Sequence, residues 1–214
     1  MQIVIPLFDR FAPLDAVGPY QVLKLLPDAE IVFAADRARP VADEDGAFTQ
    51  LARASFDDVP RPDVILVPGG AGQADHMTGG PLRDWLIEAD KTSAWTTSVC
   101  TGALILAGAG LLAEREATTH WLAMDELADL GAKPRNERYV FDGKYVTAAG
   151  VSAGIDMALA LVARMTSDET ARRCQLAIEY DPKPPFDGDP STAPPALAAK
   201  VRSATRFAAR QGSA

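Results

Sequence analysis

Short apolar runs alternate with longer periodic stretches along the chain, and the alternation predicts strands followed by helices. QIVIPLF (residues 2–8) is a brief β-branched run of the kind a strand buried on both faces carries. PLDAVGPYQVLKLL (13–26) then reads as a helix, with Gly18-Pro19 expected to mark a restart or kink near its first turn. AEIVFAAD (29–36) is a second strand, and residues 41–56 carry Asp45-Gly46 between two short β-like pieces, a hairpin signal. DVILVPGG (63–70) is a third core strand that runs into the loop Gly69, Gly70, Ala71, Gly72. PLRDWLIEADKT (81–92) opens a helix on Pro81. AWTTSV (94–99) is a strand, the chain turns helical from Thr101, and KYVTAAG (144–150) is a late strand. Residues 152–165 and 167–181 read as helices, the second capped by Ser167 or Asp168.

Such an order implies an α/β fold with a mainly parallel sheet flanked by helices, in which ligands bind beyond the carboxyl ends of strands. A length of 214 residues suits a single domain. Six of the fourteen residues from 182 to 195 are proline, so that piece reads as a semi-rigid connector to a last helix over 196–210. A net charge of −8 argues against a nucleic-acid-binding surface. No apolar run is long enough to span a membrane, the N-terminus lacks signal-peptide features, and two cysteines make no disulfide framework, so the cytoplasm is the expected compartment. With His76 and His120 as the only histidines, conventional ligands are too few to assign a metal site, and no cofactor is expected.

Cys100 stands where the strand at 94–99 meets the next helix, in SVCTG. Free cysteine is among the most buried residue types, so packing is the competing role. The strand–Cys–Thr–Gly–helix pattern is that of a nucleophile elbow and favours chemistry. Lowering a thiol pKa from about 8.5 to about 6 takes roughly 3.4 kcal/mol. A helix terminus supplies at most about 2 kcal/mol, so backbone donors near Gly70, Ala71 or Val151 are needed as well. Cys174, in an amphipathic helix, reads as packing.

PGG, SVCTGALILAGAGLL, ATTHW and GVSAGIDMAL, in that order and spacing, resemble the ThiJ/PfpI superfamily, relatives of class I glutamine-amidotransferase domains. PLDAVGPYQVL and the tail QLAIEYDPKPPFDGDPSTAP are similar to the isonitrile hydratase branch. The resemblance covers nearly the whole chain and implies a flavodoxin-like fold, a homodimer and hydration of an isocyanide to an N-substituted formamide. It places Cys100 on the nucleophile and Asp15 on the acidic residue that approaches it. Thr101 falls where protease members carry histidine, which argues against peptidase activity. His120 has the spacing of a histidine found near the cysteine in one branch; a structural role at the start of a helix competes with it.

An ionised Asp15 about 4 Å from a thiolate would meet roughly 4 kcal/mol of repulsion, so the pair is expected to share a proton. Cys100 would then attack the isocyanide carbon, Asp15 would protonate it, and the thioimidate would be hydrolysed. Thr101 is expected to orient Asp15, and N–H groups near Gly70, Ala71, Thr101 and Val151 to stabilise the developing charge. Two alternatives keep the fold: a glyoxalase- or deglycase-like enzyme acting on α-oxoaldehydes, and a redox or ligand sensor. The short tail after the connector argues against an attached DNA-binding region.

Overall fold

In the computed structural model, which describes residues 1–204, the chain order is β1 (Gln2–Pro6), α1 (Pro13–Leu23), β2 (Glu30–Ala35), β3 (Arg39–Ala42), β4 (Thr49–Ala52), β5 (Ala54–Ser55) and β6 (Val64–Val67). There follow α2 (Pro81–Asp90), β7 (Trp95–Val99), α3 (Gly102–Gly108), β8 (Glu116–Ala117), α4 (Met124–Asp129) and β9 (Lys133–Pro134). The remainder is β10 (Tyr139–Asp142), β11 (Tyr145–Ala148), α5 (Ala153–Met165), α6 (Asp168–Ala177) and α7 (Pro195–Ala204).

Seven strands form the main sheet in the order β10-β11-β7-β6-β1-β2-β5, parallel throughout except for β10 against β11. The central strands are apolar without alternation because both faces are covered: every residue of β6 and β11 is buried. One group of helices, α1, α5 and α6, packs together, and α3 packs with α2 and α4; the two groups flank the sheet. The parallel register brings the ends of β1, β6, β7 and β11 to one rim, so the segments that follow them meet there.

Several elements differ from the sequence expectation. The helix α1 runs through Pro19 without interruption. Pro19 cannot donate to the Asp15 carbonyl one turn back. The Gly18-Pro19 pair is instead where α1 meets α5: a Cβ on Gly18 would lie 3.1 Å from Ile155 Cγ1, and one on Gly154 would lie 3.1 Å from Pro19 Cγ. The strand β10 has no counterpart in the sequence reading, and pairs with β11 through a turn at Gly143 (φ 62°). The helix α6 stops at Ala177, four residues short of its expected end, while Ser167 caps its start by accepting from the Thr170 N–H at 3.2 Å. The final helix begins at Pro195; the part expected beyond Ala204 lies outside the described residues. Among the described residues no helix is long and apolar enough to cross a membrane.

Candidate active site

Cys100 follows β7 directly and takes a left-handed conformation, φ 56°. A non-glycine residue held there costs on the order of 1–3 kcal/mol, which the surroundings must offset. They do so by fixing the peptide on both sides. The Cys100 N–H donates to the Ala148 and Ala149 carbonyls at 3.1 and 2.9 Å, and the Cys100 carbonyl accepts from Thr119 Oγ1 at 2.8 Å. Gly102 permits the turn by its size rather than its torsion: a Cβ there would lie 2.3 Å from the Val67 carbonyl oxygen of β6.

The loop after β6 supplies the second wall. Gly70 has φ 135°, and a Cβ on it would lie 2.5 Å from both Ala12 N and the Arg10 carbonyl oxygen, so only glycine fits. The Ala12 N–H donates to the Gly69 carbonyl at 2.8 Å and the Gly72 N–H to the Arg10 carbonyl at 3.2 Å, tying this loop to the start of α1. Asp15, in the first turn of α1, is fully buried by this arrangement.

Among the described residues only one Asp15 oxygen is paired: Oδ2 accepts from the Gly69 N–H at 2.9 Å, while Oδ1 has no partner of ordinary hydrogen-bond geometry. Burial pushes the Asp15 carboxyl up to about 7; the Gly69 N–H and the Cys100 thiol pull it down, and the charge of Glu44 adds to the rise. The thiol is likewise pushed well above its ordinary range, first by burial and then by Asp15, against donors from the Thr101 and Val151 N–H groups and the Thr101 hydroxyl.

This departs from the expected nucleophile of lowered pKa. Cys100 is 1 % exposed, and desolvation outweighs the backbone donors. The helix that follows has only seven residues, so its dipole contributes little. Two surface hollows, of about 420 Å³ beside Trp95 and Met165 and about 660 Å³ beside Tyr20 and Phe33, include neither Asp15 nor Cys100.

The other expected residues divide. Thr101 does not hydrogen-bond Asp15. Its Oγ1 accepts from the Gly70 N–H at 3.0 Å and faces the Gly70 carbonyl at 3.4 Å, and Gly69 stands between the two side chains. The Gly70 N–H is therefore engaged, and the Ala71 N–H donates to Glu44 Oε1 at 2.8 Å, so neither is available for a developing anion. The Val151 N–H faces the sulfur. His120 lies close by, with its Cδ2 3.1 Å from where a Gly150 Cβ would be, but its Nδ1 accepts from the Leu122 N–H at 3.3 Å and caps the turn at Trp121–Ala123. Burial keeps its pKa below the ordinary imidazole value. His76 packs its ring against Phe8 at 5.0 Å, and Cys174 is buried on α6.

Glu44, in the turn between β3 and β4, is the residue that sequence reasoning missed. Its acidic neighbours in ADEDG read only as a hairpin tip, and nothing local links it to the loop after β6. Among the described residues no three His, Cys, Asp or Glu side chains are grouped so as to hold a metal ion.

Residues 1–164 match the DJ-1/PfpI family. Over 203 residues, 94% of this chain and 89% of the relative, the sequence is 42% identical to an isonitrile hydratase of Pseudomonas putida. A glutathione-independent glyoxalase, DJR-1.2 of Caenorhabditis elegans, is 26% identical over 152 residues, covering 71% of this chain and 77% of that one. A crystal structure of a ThiJ/PfpI family protein from Pseudomonas syringae superposes with a TM-score of 0.90 at 34% identity, covering 94% of this chain and 84% of that one.

Proposed function

The chain belongs to the DJ-1/PfpI family, and from that premise we propose that it is an isonitrile hydratase, converting R–N≡C and water into R–NH–CHO with Cys100 as nucleophile and Asp15 as the proton carrier. The observation that carries this reading is the half-satisfied, fully buried Asp15 carboxyl beside a thiol held at a left-handed elbow.

Because both groups are pushed up by burial, the resting pair holds at least one proton. The reactive form has a single proton for two sites. Cys100 gives its proton to Asp15 as the sulfur attacks the terminal isonitrile carbon, and the Thr101 and Val151 N–H groups hold the negative charge on sulfur during the attack. That carbon, now carrying a lone pair, takes the proton back from Asp15, leaving the thioimidate R–N=CH–S–Cys100. Water then adds to the same carbon, with one water proton going to nitrogen. The C–S bond breaks as the other returns to sulfur, and the formamide leaves. The terminal carbon of an isonitrile bears no substituent, which suits an enclosed sulfur.

Asp15 and Thr101 therefore have distinct tasks: the first moves the proton, while the second pins the loop at Gly70 and offers its own N–H to the sulfur. The chain is read as a homodimer, supported by apolar Phe48 and Leu51 standing exposed on the β3–β4 hairpin; light scattering tests it. Both cysteines are free, which suits a reducing compartment such as the cytoplasm.

The test follows loss of the isocyanide stretch in the infrared together with formation of the formamide. Wild type should turn over and Cys100→Ala should not. Turnover by that variant rules out covalent catalysis. Lactate formed from methylglyoxal, with isonitrile left intact, would transfer the same residues to the glyoxalase reading.

A further inference from the structure

Glu44 reaches the site from a part of the chain that contributes nothing else to it. The β3–β4 hairpin lies against the start of α1 through the Arg10 N–H, which donates to the Ala42 carbonyl at 3.0 Å, and through a parallel bridge between Phe11 and Asp43. From that position Glu44 Oε1 takes the Ala71 N–H at 2.8 Å. Ala71 sits two residues beyond Gly69, whose N–H is, among the described residues, the sole ordinary hydrogen bond to the Asp15 side chain. Of the other charges on neighbouring elements, Arg10 pairs with Asp75 at 2.5 Å, Arg39 with Asp9 at 2.8 Å and Asp156 of α5 with Arg138, while Asp43 accepts from the Phe48 N–H at 3.2 Å. The titratable groups that bear on Asp15 are thus the Cys100 thiol and the Glu44 carboxylate.

We propose that Glu44 is a positioning residue for the Asp15–Cys100 pair: its carboxylate pins the 69–72 loop that holds Asp15, and its negative charge biases the shared proton toward Asp15 and away from sulfur. The role rests on the hydratase reading only for its catalytic consequence. Its physical basis is geometric: Glu44 holds the Ala71 N–H two residues from the Gly69 N–H on which Asp15 rests, and from there its charge adds to the rise at Asp15. A charge that raises the proton affinity of one partner more than the other tilts the proton between them.

Glu44→Gln separates charge from structure, because the amide oxygen still accepts the Ala71 N–H. The first readout needs no turnover: the carboxylic-acid infrared band of Asp15, identified by its loss in Asp15→Asn, is followed against pH. In Glu44→Gln its midpoint should fall by about one pH unit, the order of shift expected for removing one neighbouring charge from a half-buried position. The second readout is the kcat/KM profile for isonitrile loss. Activity needs one proton removed from the pair, so the acid limb should move down by the same amount, and the plateau should drop roughly 3- to 10-fold as less sulfur is ionised. Glu44→Ala should show the same shift with a deeper loss in kcat, from the unpinned loop. A band and a limb that stay in place in Glu44→Gln overturn the proposal, whatever Glu44→Ala does. A band that shifts in a protein inert toward isonitriles upholds the role of Glu44 and overturns the hydratase reading instead.

Discussion

Two buried aspartates, one on each side of the sheet's strand ends, have opposite fates. Asp90, at the end of α2, is 7 % exposed and lies near the amino ends of β7 and β11. Its oxygens accept from Thr96 Oγ1 at 2.6 Å and from the Tyr145 hydroxyl at 2.8 Å, and Lys144 Nζ stands 3.1 Å away. Asp15, at the carboxyl ends, is fully buried with one N–H for two oxygens. A carboxylate with its lone pairs satisfied is a clamp between elements; one left half-satisfied in a dry site holds a proton it can move. Tyr145 shows the cost of the clamp, its hydroxyl pushed up to about 12 by burial and by the Asp90 carboxylate it serves.

The largest expected effect that breaks this comparison is on rate. Asp15→Asn should cut kcat/KM by about 10²- to 10⁴-fold, the usual contribution of a general acid–base group. The infrared isonitrile assay checks it, and a near-normal rate would give the proton to another residue.

The same variant should raise stability at alkaline pH. The folded-state pKa of Asp15 is raised from 3.8 to about 7, so its stabilising proton is fully in place below about pH 4 and is lost as pH climbs through 7. The loss amounts to about 4 kcal/mol, from the linkage between pKa and folding. Asparagine has no proton to lose. Urea unfolding should therefore find Asp15→Asn more stable than wild type at pH 8, with the gap closing toward pH 4.

Asp90→Asn should act in the reverse sense, losing about 2–3 kcal/mol at neutral pH because Lys144 and the two hydroxyls lose a charged acceptor. The rate per folded molecule should stay unchanged. Tyr145→Phe, which removes one of those donors, should cost about 1–2 kcal/mol in the same denaturation experiment. Catalytic loss in either variant would mean that the two ends of the sheet are coupled.

Residues that depend on local pattern were legible in the sequence. The apolar runs that became β1, β2, β6, β7 and β11 announce a sheet covered on both faces, and Cys100 with Gly102 announces a sharp exit from β7. The reading erred where a residue's role is set from a distance. It treated Gly18-Pro19 as a restart or kink, whereas that pair is the surface on which α1 meets α5. It expected Gly70 and Ala71 to offer free N–H groups, but Thr101 and Glu44 already hold them. It expected a thiol pKa lowered by the helix terminus and backbone donors together, and burial reversed the sign.

The sequence by itself determined the order of strands and helices, the elbow that carries Cys100 and the presence of an acidic side chain in the first turn of α1. Those follow from hydrophobic periodicity and from where small residues fall, which are properties of neighbouring positions. Only the tertiary structure decided which groups lose water, which oxygen of Asp15 goes unpaired and that Glu44 bears on it. Desolvation and Coulomb energy depend on distances between segments far apart in the chain, and those distances exist only once the chain has folded.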